Sequence, residues 1–132
     1  MKLDIKIEDI PFGTSIQDIE VPEVLKQRVE TGLSYVDDAL GGKGFTPSMV
    51  TLFIGTPGSG KTTMMLSMAN SIQRNGHVAL FNTAEESLHQ VKMTANRLRL
   101  REGFLVGAET NVPKLLAECD KIREANPSKH FF

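Results

Sequence analysis

Three observations predict an α/β fold in which a mostly parallel sheet is flanked by helices. Two short, apolar, β-rich runs occupy residues 49–54 and 77–82, a helical periodicity fills the interval between them, and a glycine-rich joint links the first run to the helix. Strand, loop, helix and strand in that order make one right-handed βαβ unit.

Residues 1–30 read as an arm or linker ahead of the core: Leu3, Ile5 and Ile7 alternate with charged residues as in a half-exposed strand, and Pro11 and Pro22 interrupt the stretch between that strand and the core. Residues 31–132 read as the core. Its first element is a short helix over 31–40 with Leu33, Val36 and Leu40 on one face, ended by Gly41-Gly42. Met49-Val50-Thr51-Leu52-Phe53-Ile54 is the composition of a buried parallel strand. Beyond the joint, Met64, Met65, Met68, Ala69 and Ile72 recur at helical spacing until Asn75-Gly76. A second buried strand, His77-Val78-Ala79-Leu80-Phe81-Asn82, leads to Thr83-Ala84-Glu85-Glu86-Ser87, where Ser87 and Gln90 form a capping box for the next helix. That helix buries Leu88, Val91, Ala95 and Leu98. Residues 104–108 make a third strand. Asn111 caps a last helix, with Pro113 in its first turn and Val112, Leu115, Leu116, Cys119 and Ile122 toward the core.

The joint carries the chemistry. Gly55-Thr56-Pro57-Gly58-Ser59-Gly60-Lys61-Thr62 is Gly, four residues, then Gly-Lys-Thr, the phosphate-binding loop. A triphosphate must be wrapped by main-chain N–H groups, and glycine lets the backbone turn tightly with no Cβ in the way. Residues 55–62, with Thr63 behind them, are the expected nucleotide-binding set. Lys61 reaches the β and γ phosphates, the Thr62 hydroxyl holds Mg²⁺, and the helix amino terminus adds its partial positive charge. ATP and Mg²⁺ are therefore the expected cofactors. In an open α/β sheet ligands sit beyond the carboxyl ends of the strands, which puts Glu85 and Glu86 on the rim of the same site. Either carboxylate suits the alignment and deprotonation of the attacking water, and Glu85 stands nearer the strand end.

Composition excludes several classes. With 15 basic against 16 acidic side chains no global field marks the chain for nucleic acid or membrane, and 40% hydrophobic residues supply an ordinary core. Cys119 is the single cysteine, which rules out an intrachain disulfide. No apolar stretch has the length of a membrane span, and the acidic start is unlike a signal peptide, so a cytoplasmic protein is expected. Lys92, Arg97, Arg99 and Arg101 cluster at one helix end, suited to solvent, to DNA phosphates or to a neighbour's nucleotide. His77, His89 and His130 show no metal-ligand spacing.

Taken together, Arg28-Val29-Glu30-Thr31-Gly32-Leu33, Val36-Asp37, Leu40-Gly41-Gly42, the phosphate loop, Ala84-Glu85-Glu86-Ser87, Gln90-Val91-Lys92, Arg97-Leu98 and Ala108-Glu109-Thr110-Asn111 resemble, in order, the ATPase core of the RadA/Sms family of bacterial DNA-repair proteins, within the RecA and KaiC superfamily. The resemblance covers about residues 28–127. It implies a RecA-like core, an ATP-driven motor acting on single-stranded or branched DNA in recombination and repair, and a homo-oligomeric ring. It also implies that Glu85 activates water. The chain departs from the family in lacking its four-cysteine zinc module, in having Lys43 and Ser48 in the glycine-rich approach to residues 49–54, and in having Thr94 where an Arg is usual. It ends at His130-Phe131-Phe132, where the strand bearing the Walker B Asp is expected to begin. The amino-terminal part of a motor core, binding ATP with little turnover of its own, is the resulting expectation. A KaiC-like regulatory ATPase module and a non-catalytic nucleotide-binding assembly subunit are the competing readings.

Overall fold

The computed structural model describes residues 9–132, in the order α1 (Glu23–Lys26), α2 (Ser34–Ala39), α3 (Lys61–Arg74), β1 (Leu80–Asn82), α4 (Leu88–Arg97), β2 (Leu105–Gly107) and α5 (Val112–Ala125), with a 3₁₀ turn at Ile16–Asp18. The alternating pattern expected at residues 3–7 lies outside the described residues. The fold is α/β with a parallel sheet and flanking helices, as the sequence predicts.

Helix α3 organises the core. Met68, Ala69 and Ile72 share one buried face and Leu66 is buried beside it, each large side chain contributing about 1.5–3 kcal/mol. Val36 of α2, Phe45 and Ala79 complete the buried cluster around it. The Asn75-Gly76 stop holds, with Gly76 at φ +87°, so the chain reverses within a few residues and returns along the helix as the next strand.

The strand at 78–82 is central. β1 pairs in parallel with β2 in the register Leu80↔Leu105, Phe81↔Val106 and Asn82↔Gly107. On its other side residues 130–132 run parallel to it, where Val78 N donates to His130 O at 2.9 Å and Leu80 N to Phe132 O at 2.8 Å. β1, α4 and β2 make the βαβ unit.

Two expectations are corrected. Residues 49–54 form no strand and pair with none among the described residues; Val50, Leu52 and Ile54 are 97%, 83% and 85% exposed, while Thr51 and Phe53 turn inward. The alternation is that of an extended segment with one face on α3, so the predicted βαβ unit through the phosphate loop does not close. A groove of about 710 Å³ runs beside this segment, between Met65 and Met68 on one flank and residues 130–132 on the other. The buried Thr51 hydroxyl has no hydrogen-bond partner there. Helix α5 is the second correction. It starts as predicted, with Asn111 capping Lys114 N, but it buries none of its residues fully, and Val112 and Leu116 are exposed. Helix α4 buries Val91 and Ala95, while Leu88 is exposed and Leu98 half-buried.

The amino-terminal side of the core is held by a buried carboxylate. Asp37 accepts from Thr31 N at 2.9 Å, Thr31 Oγ1 at 2.9 Å and Gly32 N at 3.2 Å. Val29 pairs with Phe45 in an antiparallel bridge, and Asn75 reaches the Glu30 carbonyl at 3.4 Å. Ser48, which interrupts the glycine-rich approach, takes a left-handed φ of +64° that a glycine adopts without strain. Among the described residues no helix is long and apolar enough to cross a membrane.

Candidate functional site: a glycine loop at a helix tip

The glycine loop enters α3 through Gly60, the helix N-cap, at φ +89°, and Gly58 is left-handed as well at +77°. No side chain caps the helix, so the N–H groups of its first turn have no side-chain acceptor. Residues 55–60 are all exposed, and Lys61 and Thr62 are half-buried in the first turn with Thr63 exposed beside them. The loop is tied internally by Ser59 N donating to Thr56 O at 3.1 Å. A Cβ on Gly55 would lie 2.6 Å from Ser59 Oγ, so the loop approaches itself closely here and a larger residue would make the Ser59 side chain turn away.

Lys61 curls over the loop. Its Nζ donates to Gly55 O at 2.6 Å and Thr56 O at 3.0 Å, which fixes an ammonium above the same glycines whose N–H groups are available. Cation, helix tip and main-chain donors thus converge, an arrangement built for an anion.

The two carboxylates lie just beyond β1. A 14-residue helix is about 21 Å long, and residues 77–82 in extended form cover about 20 Å. With a tight reversal between them, the carboxyl end of β1 comes level with the amino end of α3. Thr83 anchors the turn after the strand: its N–H donates to Gly107 O at 2.9 Å and its hydroxyl accepts from Glu86 N at 3.1 Å. Glu85 is then exposed and Glu86 half-buried at the sheet's carboxyl rim. Neither caps α4, because Ser87 and Gln90 form the complete reciprocal box there. Glu85 is left to face solvent.

Sequence reasoning missed Asn82. Its side chain donates to Glu109 O at 2.9 Å and accepts from Glu109 N at 3.0 Å, stitching the segment after β2 to the end of β1. An Asn closing an otherwise apolar strand was the available signal. Gly107 is required beside it, since a Cβ there would sit 2.9 Å from Asn82 Oδ1. Sequence reasoning also treated the histidines as scattered, whereas the fold brings the rings of His77 and His130 to 5.2 Å. Burial, then the nearby His130, holds the His77 pKa below its ordinary value. Among the described residues no group of three or more His, Cys, Asp or Glu could hold a metal ion. Lys92, Arg97, Arg99 and Arg101 are all exposed.

Comparison with known proteins finds relatives of the sequence. The sequence profile of the KaiC ATPase family matches residues 29–101. The chain is 38% identical over 96 residues to the DNA repair protein RadA of Aquifex aeolicus, covering 72% of this chain and 21% of that protein. It is 34% identical over 105 residues to the DNA repair protein RadA of Streptococcus pneumoniae, covering 79% and 24%. For the DNA repair protein RadA of Mycobacterium tuberculosis the identity is 34% over 98 residues, covering 72% and 20%. The chain thus spans about a fifth to a quarter of the length of these relatives. No solved structure matches it at a significant level.

Proposed function

The chain belongs to the KaiC ATPase family, and from that membership we propose that it binds ATP with Mg²⁺ at residues 55–62 as part of a RecA-like DNA-repair ATPase. One observation carries the reading: the Lys61 ammonium is held over a loop whose Gly58 and Gly60 are both left-handed, at the uncapped tip of a 14-residue helix. Phosphate oxygens compete well for that ammonium, because a charge-assisted hydrogen bond is roughly twice as strong as a neutral one.

The residues present fit the triphosphate and its metal. The first-turn N–H groups and the close-packed Gly55 and Ser59 leave a cradle with no Cβ in it at Gly58 or Gly60. Mg²⁺ bound with the nucleotide supplies charge neutralisation between the phosphates. Thr62, a hydroxyl in the first helical turn, is the residue of this chain that would offer it oxygen, the donor a hard cation takes. Lys61 would draw the β and γ phosphates into register. Glu85 would orient and deprotonate the attacking water from the rim of the sheet, and the Thr83 and Asn82 ties would keep that rim in place.

The relatives named DNA repair protein RadA favour a DNA-repair role for the whole protein, and an ATP-driven machine working on single-stranded or branched DNA as a homo-oligomer is the form that the family resemblance gives that role. The test is paired. Fluorescent ATP should bind the wild type and not Lys61→Ala, and single-stranded DNA should bind with an affinity that falls steeply with salt. Nucleotide binding untouched by the substitution would refute the site.

A further inference from the structure

We infer that His77 and His130 together bind one Zn²⁺ ion across the seam that joins residues 78–80 to residues 130–132. The backbone sets up the pair before any side chain is considered. Val78 and Phe131 are partners in a parallel bridge, a register fixed by Val78 N donating to His130 O and Phe132 N donating to Val78 O, each at 2.9 Å. His77 and His130, one residue earlier in each segment, therefore stand side by side. Side chains alternate across a strand, so two neighbours in parallel register leave the sheet on the same face.

The separation of the rings selects the ion. Their centroids lie 5.2 Å apart, with the planes inclined at 66°. Two imidazoles on one tetrahedral ion, with Zn–N bonds of about 2.0–2.1 Å, have centroids roughly 5.2 Å apart, whereas the right angle of an octahedral or square site brings them to roughly 4.5 Å. Imidazole is also the ligand that zinc shares with few harder ions, so Mg²⁺ does not compete. Both side chains are half-buried, His130 on the wall of the groove beside residues 49–53, and the Phe132 ring stands 6.1 Å from His77 as an apolar neighbour. Among the described residues no third His, Cys, Asp or Glu completes a set with them, so water fills the remaining positions. The ion would staple residues 130–132 to the central strand at the point where main-chain hydrogen bonds already hold them.

The test uses the whole chain with Zn²⁺ alone, without nucleotide, and so stands apart from the phosphate loop. Equilibrium dialysis should find one Zn²⁺ per chain, and zinc but not Mg²⁺ should raise the midpoint of urea unfolding, since an ion bound only by the folded state stabilises it. His77→Asn and His130→Asn should each weaken zinc binding at least about tenfold, the least that loss of even a supporting contact costs a metal site. His89→Asn and Cys119→Ser should leave it unchanged. Circular dichroism checks the fold of each variant, and the wild type supplies a reading that needs none of them: Co²⁺ in place of Zn²⁺ should show the intense visible bands of a four-coordinate ion. No zinc bound at millimolar concentration, binding indifferent to His130→Asn, or binding lost with His89→Asn or Cys119→Ser, the mark of an adventitious surface ion, would each overturn the inference. The faint bands of six-coordinate cobalt would overturn it as well.

Discussion

Lys61 Nζ donates to the Gly55 carbonyl at 2.6 Å, from the first residue of α3 to the first residue of the loop that precedes it. The same glycine has Lys61 Cγ and Cδ at 3.4 and 3.5 Å from where its Cβ would stand. The loop is thereby closed on its own lysine, and its shape rests on residues that lack side chains where the backbone bends.

Gly60→Ala tests that shape. At φ +89° an alanine is strained by roughly 1–2 kcal/mol. Urea unfolding should report a loss of that size, together with at least about tenfold weaker Mg-ATP binding. A variant with unchanged stability and affinity would show that the left-handed turn is dispensable.

Asp37→Ala and Ser87→Ala form a graded pair. The first strips a buried carboxylate from Thr31 N, Thr31 Oγ1 and Gly32 N, and should cost about 3 kcal/mol, since donors left unsatisfied carry most of the penalty. The second removes one exposed cap and should cost about 1 kcal/mol. Equal losses in denaturant titration would contradict this ranking.

Acid should weaken the seam between 78–80 and 130–132. The His77 pKa is lowered in the folded chain, by burial first and by His130 second. A lowered histidine pKa stabilises the fold above the unfolded value of about 6.5, and that stability is lost as pH falls from there toward the folded value. Chemical unfolding at pH 7.5 and 5.5 should show the wild type weakening with acid more than His77→Asn. Equal pH sensitivity in the two chains would remove His77 from the account.

Much of this arrangement was legible in the sequence, for reasons of range. The α3 periodicity, the Ser87 and Gln90 box and the Asn111 cap are local devices, and each appears where its residues predicted. Residues 49–54 misled because a strand is made by its neighbours: the run is β-rich, but Val50, Leu52 and Ile54 find no partner among the described residues. In α5 the periodicity located the helix but not how deeply it packs, leaving Val112 and Leu116 in solvent. The Thr31–Asp37 and Asn82–Glu109 ties and the His77–His130 contact join residues that no short-range pattern links.

Turnover separates binding from chemistry. No hydrogen bond orients the exposed Glu85 carboxylate among the described residues, so the chain by itself should release phosphate far below the order of 1 per second typical of phosphoryl-transfer enzymes. Glu85→Gln should keep Mg-ATP affinity within about twofold, because the residue serves the water and not the nucleotide. A phosphate-release assay beside a binding titration checks both. Rapid turnover in the wild type would contradict the expected slow release, and binding lost in the variant would contradict the role assigned to Glu85.

Titration calorimetry of the folded chain with Mg-ATP, in parallel with Lys61→Ala, tests the central claim most directly. The account predicts saturable heat for the wild type and none for the variant, with saturating nucleotide at ~100 times its dissociation constant adding about 2.7 kcal/mol of stability to the wild type alone. No heat from well-folded wild type at millimolar Mg-ATP, or equal heat from both chains, would contradict it.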